Sequence, residues 1–239
     1  MAAGRFDALF IDFYGTVTGG DRRAVEDASR CVVEDFDLAM TADEFAVAWG
    51  RIFFAAADNP NHGRFRTLFE IECESLVDTL ETLGVRGTDP LPYVRRLKDY
   101  WADPVLQPDA AEALASLQVP VCCVSNADTE DILAAIERHG LRFERVITSE
   151  DTRCYKPAPA IFEHALTAMG RSPARVVHAG DSLHADVNGA ARLGIATVWV
   201  CRDGRIFDVG DARPDYKVNS LDDLGDIISG KRSPGLPGR

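Results

Sequence analysis

The chain has 239 residues, 46% hydrophobic and 27% charged, with a net charge of −12; this is the composition of a soluble globular protein, long enough for one domain with an insertion or for two. The acidic balance argues against nucleic acid and anionic membranes as partners, although cations gathered in a cleft can still receive an anionic small molecule. No apolar run reaches the roughly 18 residues that span a bilayer, the N-terminus lacks the parts of a signal peptide, and the six cysteines show no paired spacing for zinc, so a cytoplasmic protein with reduced, structural thiols is expected.

The first predicted element is the apolar run Ala8 to Ile11, a buried strand that delivers Asp12 into the turn Tyr14-Gly15-Thr16. Residues 21–103 show no competing strand pattern. Thr41 and Glu44 have the spacing of a capping box. Behind them Phe45, Ala48, Trp49, Ile52, Phe53 and Ala56 recur at helical spacing. Phe65, Leu68, Phe69, Leu76, Leu80 and Leu83 predict a second helix, and Val94, Leu97 and Trp101 a third. This stretch reads as an all-helical insertion. Its loop at 59–66 offers His62, Arg64 and Arg66 to an anion, and Arg51 is a further cation nearby in sequence.

Strands and helices alternate over 106–229. Gln118 to Ser125 predicts a buried strand, and Thr129 to His139 a helix stopped by Gly140. Arg145 to Thr148 is a short strand. Pro157 is placed at the first turn of a helix that Gly170 closes. Val176 to Ala179 is a strand, a helix follows to Leu193, and Ile195 to Cys201 is the next strand. Repeated units of this kind imply a parallel sheet covered by helices on both faces. The domain boundaries are set at 1–17 with 106–229 for the α/β core and at 18–105 for the helical cap. The Gly- and Pro-rich tail, 230–239, is expected to be disordered.

Four short segments fall where strands give way to loops, which is where parallel sheets bind ligands. They are Asp12 to Thr16, Ser125-Asn126, Lys156-Pro157, and Gly180-Asp181-Ser182 with Asp186. Each alone is commonplace; their order and placement together are specific. Together they resemble the haloacid dehalogenase-like hydrolase superfamily, and the insertion resembles that family's helical cap of the first type. The resemblance implies a doubly wound, Rossmann-like α/β core. It implies Asp12 as a nucleophile forming a covalent intermediate, Ser125 as a donor to a substrate oxygen, and Lys156 as the balancing charge. Thr16, Ser125, Asn126 and Lys156 form the implied substrate-binding set, joined by Arg64 and Arg66 from the cap. Asp12, the carbonyl of Tyr14, Asp181 and, more remotely, Asp186 are the implied Mg²⁺ group, since hard oxygen ligands suit that ion. His178 and His184 are read as packing and loop residues. The cap is expected to swing about hinges near Thr18 and Pro104.

Two features pull in different directions. In the family's phosphatases an acid usually stands at the position of Tyr14, where it protonates the leaving alcohol and then activates water. A halide needs no such proton, and the family's 2-haloacid dehalogenases carry tyrosine there. Asp181 and Asp186, by contrast, look like the phosphatase form, and buried acids beside Asp12 need a cation. The leading expectation is a Mg²⁺-dependent hydrolase of a small phosphate ester, working through an aspartyl-phosphate. The alternatives are a metal-independent 2-haloacid dehalogenase, and a catalytically weak binding or regulatory protein.

Overall fold

In the computed structural model, which describes residues 4–57, 64–202 and 212–235, Ala8–Ile11 (β1) is fully buried and wholly apolar. A strand covered on both faces must be so. It leads to the short strand Thr18–Gly19 (β2) and then to four helices: Asp21–Asp35 (α1), Ala42–Ala57 (α2), Leu68–Thr82 (α3) and Leu91–Ala102 (α4). Val105–Leu106 (β3) returns antiparallel to β2, pairing Thr18 with Leu106 and Gly19 with Val105.

Alternating elements follow: Ala110–Ser116 (α5), Val121–Ser125 (β4), Thr129–Arg138 (α6), Arg145–Thr148 (β5), Ser149–Thr152 (α7) and Pro159–Met169 (α8). Next come Val176–Gly180 (β6), a π-helical turn at Leu183–Asn188, Gly189–Ala191 (α9), Ala196–Val200 (β7), Tyr216–Val218 (β8) and Leu224–Ser229 (α10). The six long-sheet strands are ordered β5-β4-β1-β6-β7-β8 and every pairing is parallel. The chain builds outward from β1 through β4 to β5, then crosses to β6 on the other side. That reversal puts the C-terminal ends of β1, β4 and β6 together at the switch point, where such sheets hold ligands. Ala8, Phe10, Cys122 and Val124 pack on Ile161, Phe162 and Ala165 of α8.

By their contacts the residues fall into two units. One is Met1–Gly19 with Val105–Asn126 and His139–Arg239; the other is Gly20–Pro104 with Ala127–Arg138. The helical unit is organised around Trp49, whose indole donates to Ser75 Oγ at 2.9 Å, and around Phe45, Leu76, Leu80, Val94 and Leu97. The capping box at the start of α2 forms: Thr41 N donates to Glu44 Oε2 at 2.8 Å and Glu44 N to Thr41 Oγ1 at 3.2 Å. A second one, from Thr67 and Glu70, starts α3. Asp128 completes that helix end, accepting from Leu68 N at 2.7 Å and Phe69 N at 3.0 Å. Its negative charge also suits the positive end of the helix dipole.

Several sequence expectations shift. The helix α6, assigned by sequence to the α/β core, groups with the helical unit, where Lys98 of α4 reaches Asp131 at 2.7 Å. Pro159, not Pro157, takes the first helical position of α8, and the Lys156–Pro157 peptide is cis. The expected helix after β6 opens as a π-helical turn. Within the expected disordered tail, Lys231 N bonds to Asp226 O at 2.9 Å and Gly235 N to Asp215 O at 3.1 Å; residues 236–239 lie outside the described ones. His62 and the rest of 58–63 lie outside them as well. None of the six cysteines is in a disulfide, and burial pushes the Cys122 thiol up to about 12, which keeps it protonated.

Candidate active site

Asp12, Ser125 and Asp181 are placed by the ends of β1, β4 and β6, Lys156 by the loop before α8, and Asp186 by the π-helical turn. Asp12 follows β1 and its N–H still bonds to Ala179 O at 2.9 Å, extending the ladder by one residue. The chain then turns tightly, with Val17 N and Thr18 N both donating to Phe13 O. Gly15 makes the turn possible at φ +85, a conformation that only glycine adopts freely. A Cβ there would also lie 2.9 Å from the Asp181 carboxyl.

Asp12 is 6% exposed and Lys156 3%. Lys156 Nζ donates to Asp12 Oδ1 at 2.6 Å, to Asp186 Oδ1 at 2.6 Å and to Val124 O at 3.0 Å, which uses all three of its protons. Ser125 Oγ adds a bond to Asp12 Oδ1 at 3.2 Å, and Thr16 Oγ1 one to Oδ2 at 3.1 Å. Asp186 accepts further from His178 Nε2 at 2.9 Å and from Ser182 N at 3.1 Å. The π-helical turn carries Asp186 back toward β6, and the absence of a side chain at Gly180 makes room for it: a Cβ there would overlap the Asp186 carboxyl.

Burial pushes the Asp12 carboxyl above its ordinary range; Lys156 pulls it back, while Asp186 adds to the rise. Burial also opposes ionisation of Asp186, but Lys156 and His178 more than offset it and hold the group at about 2. Burial would strip Lys156 of its proton, yet the two carboxylates prevail and raise its pKa. Lys156 is therefore an ammonium shared by two carboxylates.

One oxygen each from Asp12, Asp181 and Asp186 lie within 4.8 Å of one another. Three carboxylates face one lysine there, and all the donors are hard oxygens. The group therefore fits a divalent cation such as Mg²⁺. Asp186 is already engaged by Lys156, His178 and Ser182, so it fits better as the counter-ion of Lys156 than as a direct ligand.

The remaining expected residues divide. Tyr14 is half-buried in the turn, with its ring edge-on to Phe13 at 5.1 Å. Asn126 holds the main chain of Lys156 instead of presenting its amide to a ligand: Nδ2 donates to Lys156 O at 3.1 Å and Oδ1 accepts from Lys156 N at 2.7 Å. Arg64 and Arg66 belong to the helical unit, where Glu70 and Glu74 pair with them and Ala56 O takes a second bond from Arg66. Arg51 and His184 are exposed.

Sequence reasoning missed two residues of the network. His178, read as packing, bonds to Asp186; a lone polar residue in an otherwise apolar strand was the available signal. Trp199 on β7 donates its indole N–H to Asp181 O at 2.9 Å. Only the register, which sets Trp199 opposite Gly180, reveals that partner.

A family model described as haloacid dehalogenase-like hydrolase matches residues 6–194. The chain is 30% identical to haloacetate dehalogenase H-2 of Moraxella sp. (strain B) over 237 residues, covering 94% of this chain and 99% of that one. It is 30% identical to N-acylneuraminate-9-phosphatase of Mus musculus over 129 residues, and there the match spans only about half of either protein, 52% of each. The structure of L-2-haloacid dehalogenase from Xanthobacter autotrophicus superposes with a TM-score of 0.76 at 22% identity, covering 94% of this chain and 99% of that one. With Asp12, Ser125, Lys156 and Asp181 gathered at the switch point of a parallel sheet, the chain belongs to the haloacid dehalogenase-like hydrolase family.

Proposed function

We propose that this hydrolase is a Mg²⁺-dependent phosphatase of small phosphorylated metabolites, working in the cytoplasm through an aspartyl-phosphate. The observation that carries the reading is Asp181. Its half-buried carboxylate joins the buried Asp12 and Asp186 and brings the cluster to three acids against one lysine, an imbalance that a divalent cation corrects and that carbon–halogen cleavage does not call for. Asp12, Asp181 and the carbonyl of Tyr14 would hold the ion. Bound there, it would neutralise charge on a phosphoryl group.

In this reading an Asp12 oxygen attacks phosphorus, and a P–O bond forms as the bond to the leaving alcohol breaks with its electron pair going to that oxygen. Lys156 and Ser125, both on Asp12 Oδ1 before the reaction, turn those protons from Asp12 to the phosphoryl oxygens as Asp12 bonds to phosphorus. Asn126 keeps Lys156 in place through its main chain. Water then attacks phosphorus and releases phosphate, restoring Asp12. Tyr14 can give its phenolic proton to the departing alkoxide and recover one from the attacking water, but a phenol is a weaker acid than a carboxyl group for the first of these transfers. Turnover is therefore slow, and Tyr14→Asp raises phosphate release about 10-fold or more.

A second reading is favoured by Tyr14 itself and by the near full-length similarity to haloacetate dehalogenase H-2. There Asp12 displaces halide from carbon, and water hydrolyses the resulting ester. Incubation with p-nitrophenyl phosphate, in Mg²⁺ or EDTA, and separately with 2-chloropropionate decides between them. The expected result is Mg²⁺-dependent phosphate release that is lost in Asp12→Asn. Halide release that ignores EDTA, without phosphate release, would overturn the phosphatase reading.

A further inference from the structure

Asp181 lies one residue beyond the end of β6, and its carbonyl takes the indole N–H of Trp199 at 2.9 Å. A buried indole needs a partner for that proton. Here the partner is the main chain of an acid in the carboxylate cluster. Trp199 is itself fixed: it is 1% exposed, packs with Leu183 and Val187 of the π-helical turn and with Cys201, and carries the Lys217 ammonium 4.5 Å from its ring centroid. The carboxyl end of Asp181 lies close over Gly15, where a Cβ would stand 2.9 Å from its carboxyl carbon and from both oxygens. The acid is thus defined at two points, its main chain by Trp199 and its carboxyl by the bare face of Gly15.

We propose that Trp199 is a positioning residue for cation binding: its indole N–H anchors the Asp181 main chain so that the carboxylate meets a divalent ion already oriented. The inference rests on the reading of Asp181 as a cation ligand. Groups that orient a ligand from behind change metal affinity by about 10- to 100-fold when removed. Trp199→Phe keeps a ring to pack and to stack under Lys217, and it removes the donor together with part of the indole's volume, a packing loss that the unfolding measurement reads separately.

The test is Mn²⁺ binding to the full chain, followed by electron paramagnetic resonance, with thermal unfolding of the metal-free protein measured alongside. Trp199→Phe is expected to weaken Mn²⁺ binding about 10-fold or more. Trp49→Phe, which loses the bond to Ser75 in the helical unit, lowers the Tm but leaves Mn²⁺ affinity at the parent value. Equal affinity in Trp199→Phe and the parent would overturn the inference while leaving the cation reading intact. A parent that binds no Mn²⁺ would sink the cation reading, and the inference with it. Should Trp199→Phe not fold, the parent still decides. Mg²⁺ is expected to shift the Trp199 indole N–H resonance and leave that of Trp49 in place, and an unmoved Trp199 signal at saturating Mg²⁺ counts against the proposal.

Discussion

Gly180 shows how tightly the site is built around single atoms. Asp186 occupies the space where a side chain at 180 would stand, and it cannot swing aside, because Lys156, His178 and Ser182 N all hold it. Gly180→Ala therefore forces either the strand end or the Lys156–Asp186 pair to move. Urea unfolding should report a loss of about 1–3 kcal/mol, the usual cost of overpacking, together with a fall in turnover. Asp12, Ser125, Lys156 and Asp181 were legible because each belongs to a short motif at the edge of an apolar strand or beside a helix. The target of Asn126 was not legible: its two bonds go to the main chain of a residue 30 positions away, and no side-chain pattern records a main-chain partner.

The helix α3 carries a conflict of a different kind. Glu72 sits on its buried face among Leu68, Ile71 and Leu76, and burial lifts its carboxyl from 4.5 to about 8. The folded chain keeps a proton there that the unfolded chain gives up at the lower value. Stability is therefore undiminished below about pH 4.5, falls as pH rises, and has lost the full amount above about pH 8. Glu72→Gln removes that slope. Unfolding free energies from urea titration of the variant and the parent should coincide near pH 4 and differ by about 5 kcal/mol in favour of the variant at pH 9. The apolar positions of α3 were visible as a helical period. Its cap was not read from the sequence: the Thr67–Glu70 box went unassigned, and Asp128 comes from 60 residues along the chain. The strands β2, β3 and β8 were missed for a simpler reason: with two or three residues each, they are too short to establish an alternation.

At the scale of the whole molecule, the net charge of −12 and the three-carboxylate cluster point the same way: under the proposed function the folded chain would gain from a divalent cation. Binding to the folded state alone adds about 2.7 kcal/mol at a hundred times the dissociation constant, which for a chain of this size raises the Tm by roughly 5 °C or more. Calorimetry with Mg²⁺ and with EDTA should show that difference in the parent and not in Asp181→Asn. The parallel sheet was legible from sequence because its inner strands, buried on both faces, are nearly unbroken apolar runs. The grouping of α6 with the other helices was not, since its sequence position lies within the strand–helix alternation.

The pairing of Gly19 with Val105 bears on how this chain can be re-engineered. The two ends of the intervening segment are neighbours in a ladder, so a short linker could close the backbone if that segment were cut out, and a foreign helical block could be spliced in at the same two residues. The obstacle lies elsewhere, on α6, whose Ile132 and Ala135 are fully covered and whose Asp131 is paired with Lys98 of the segment removed. A graft succeeds only if the donor block brings its own cover for that face, so the transferable module is the helical segment together with Ala127–Arg138.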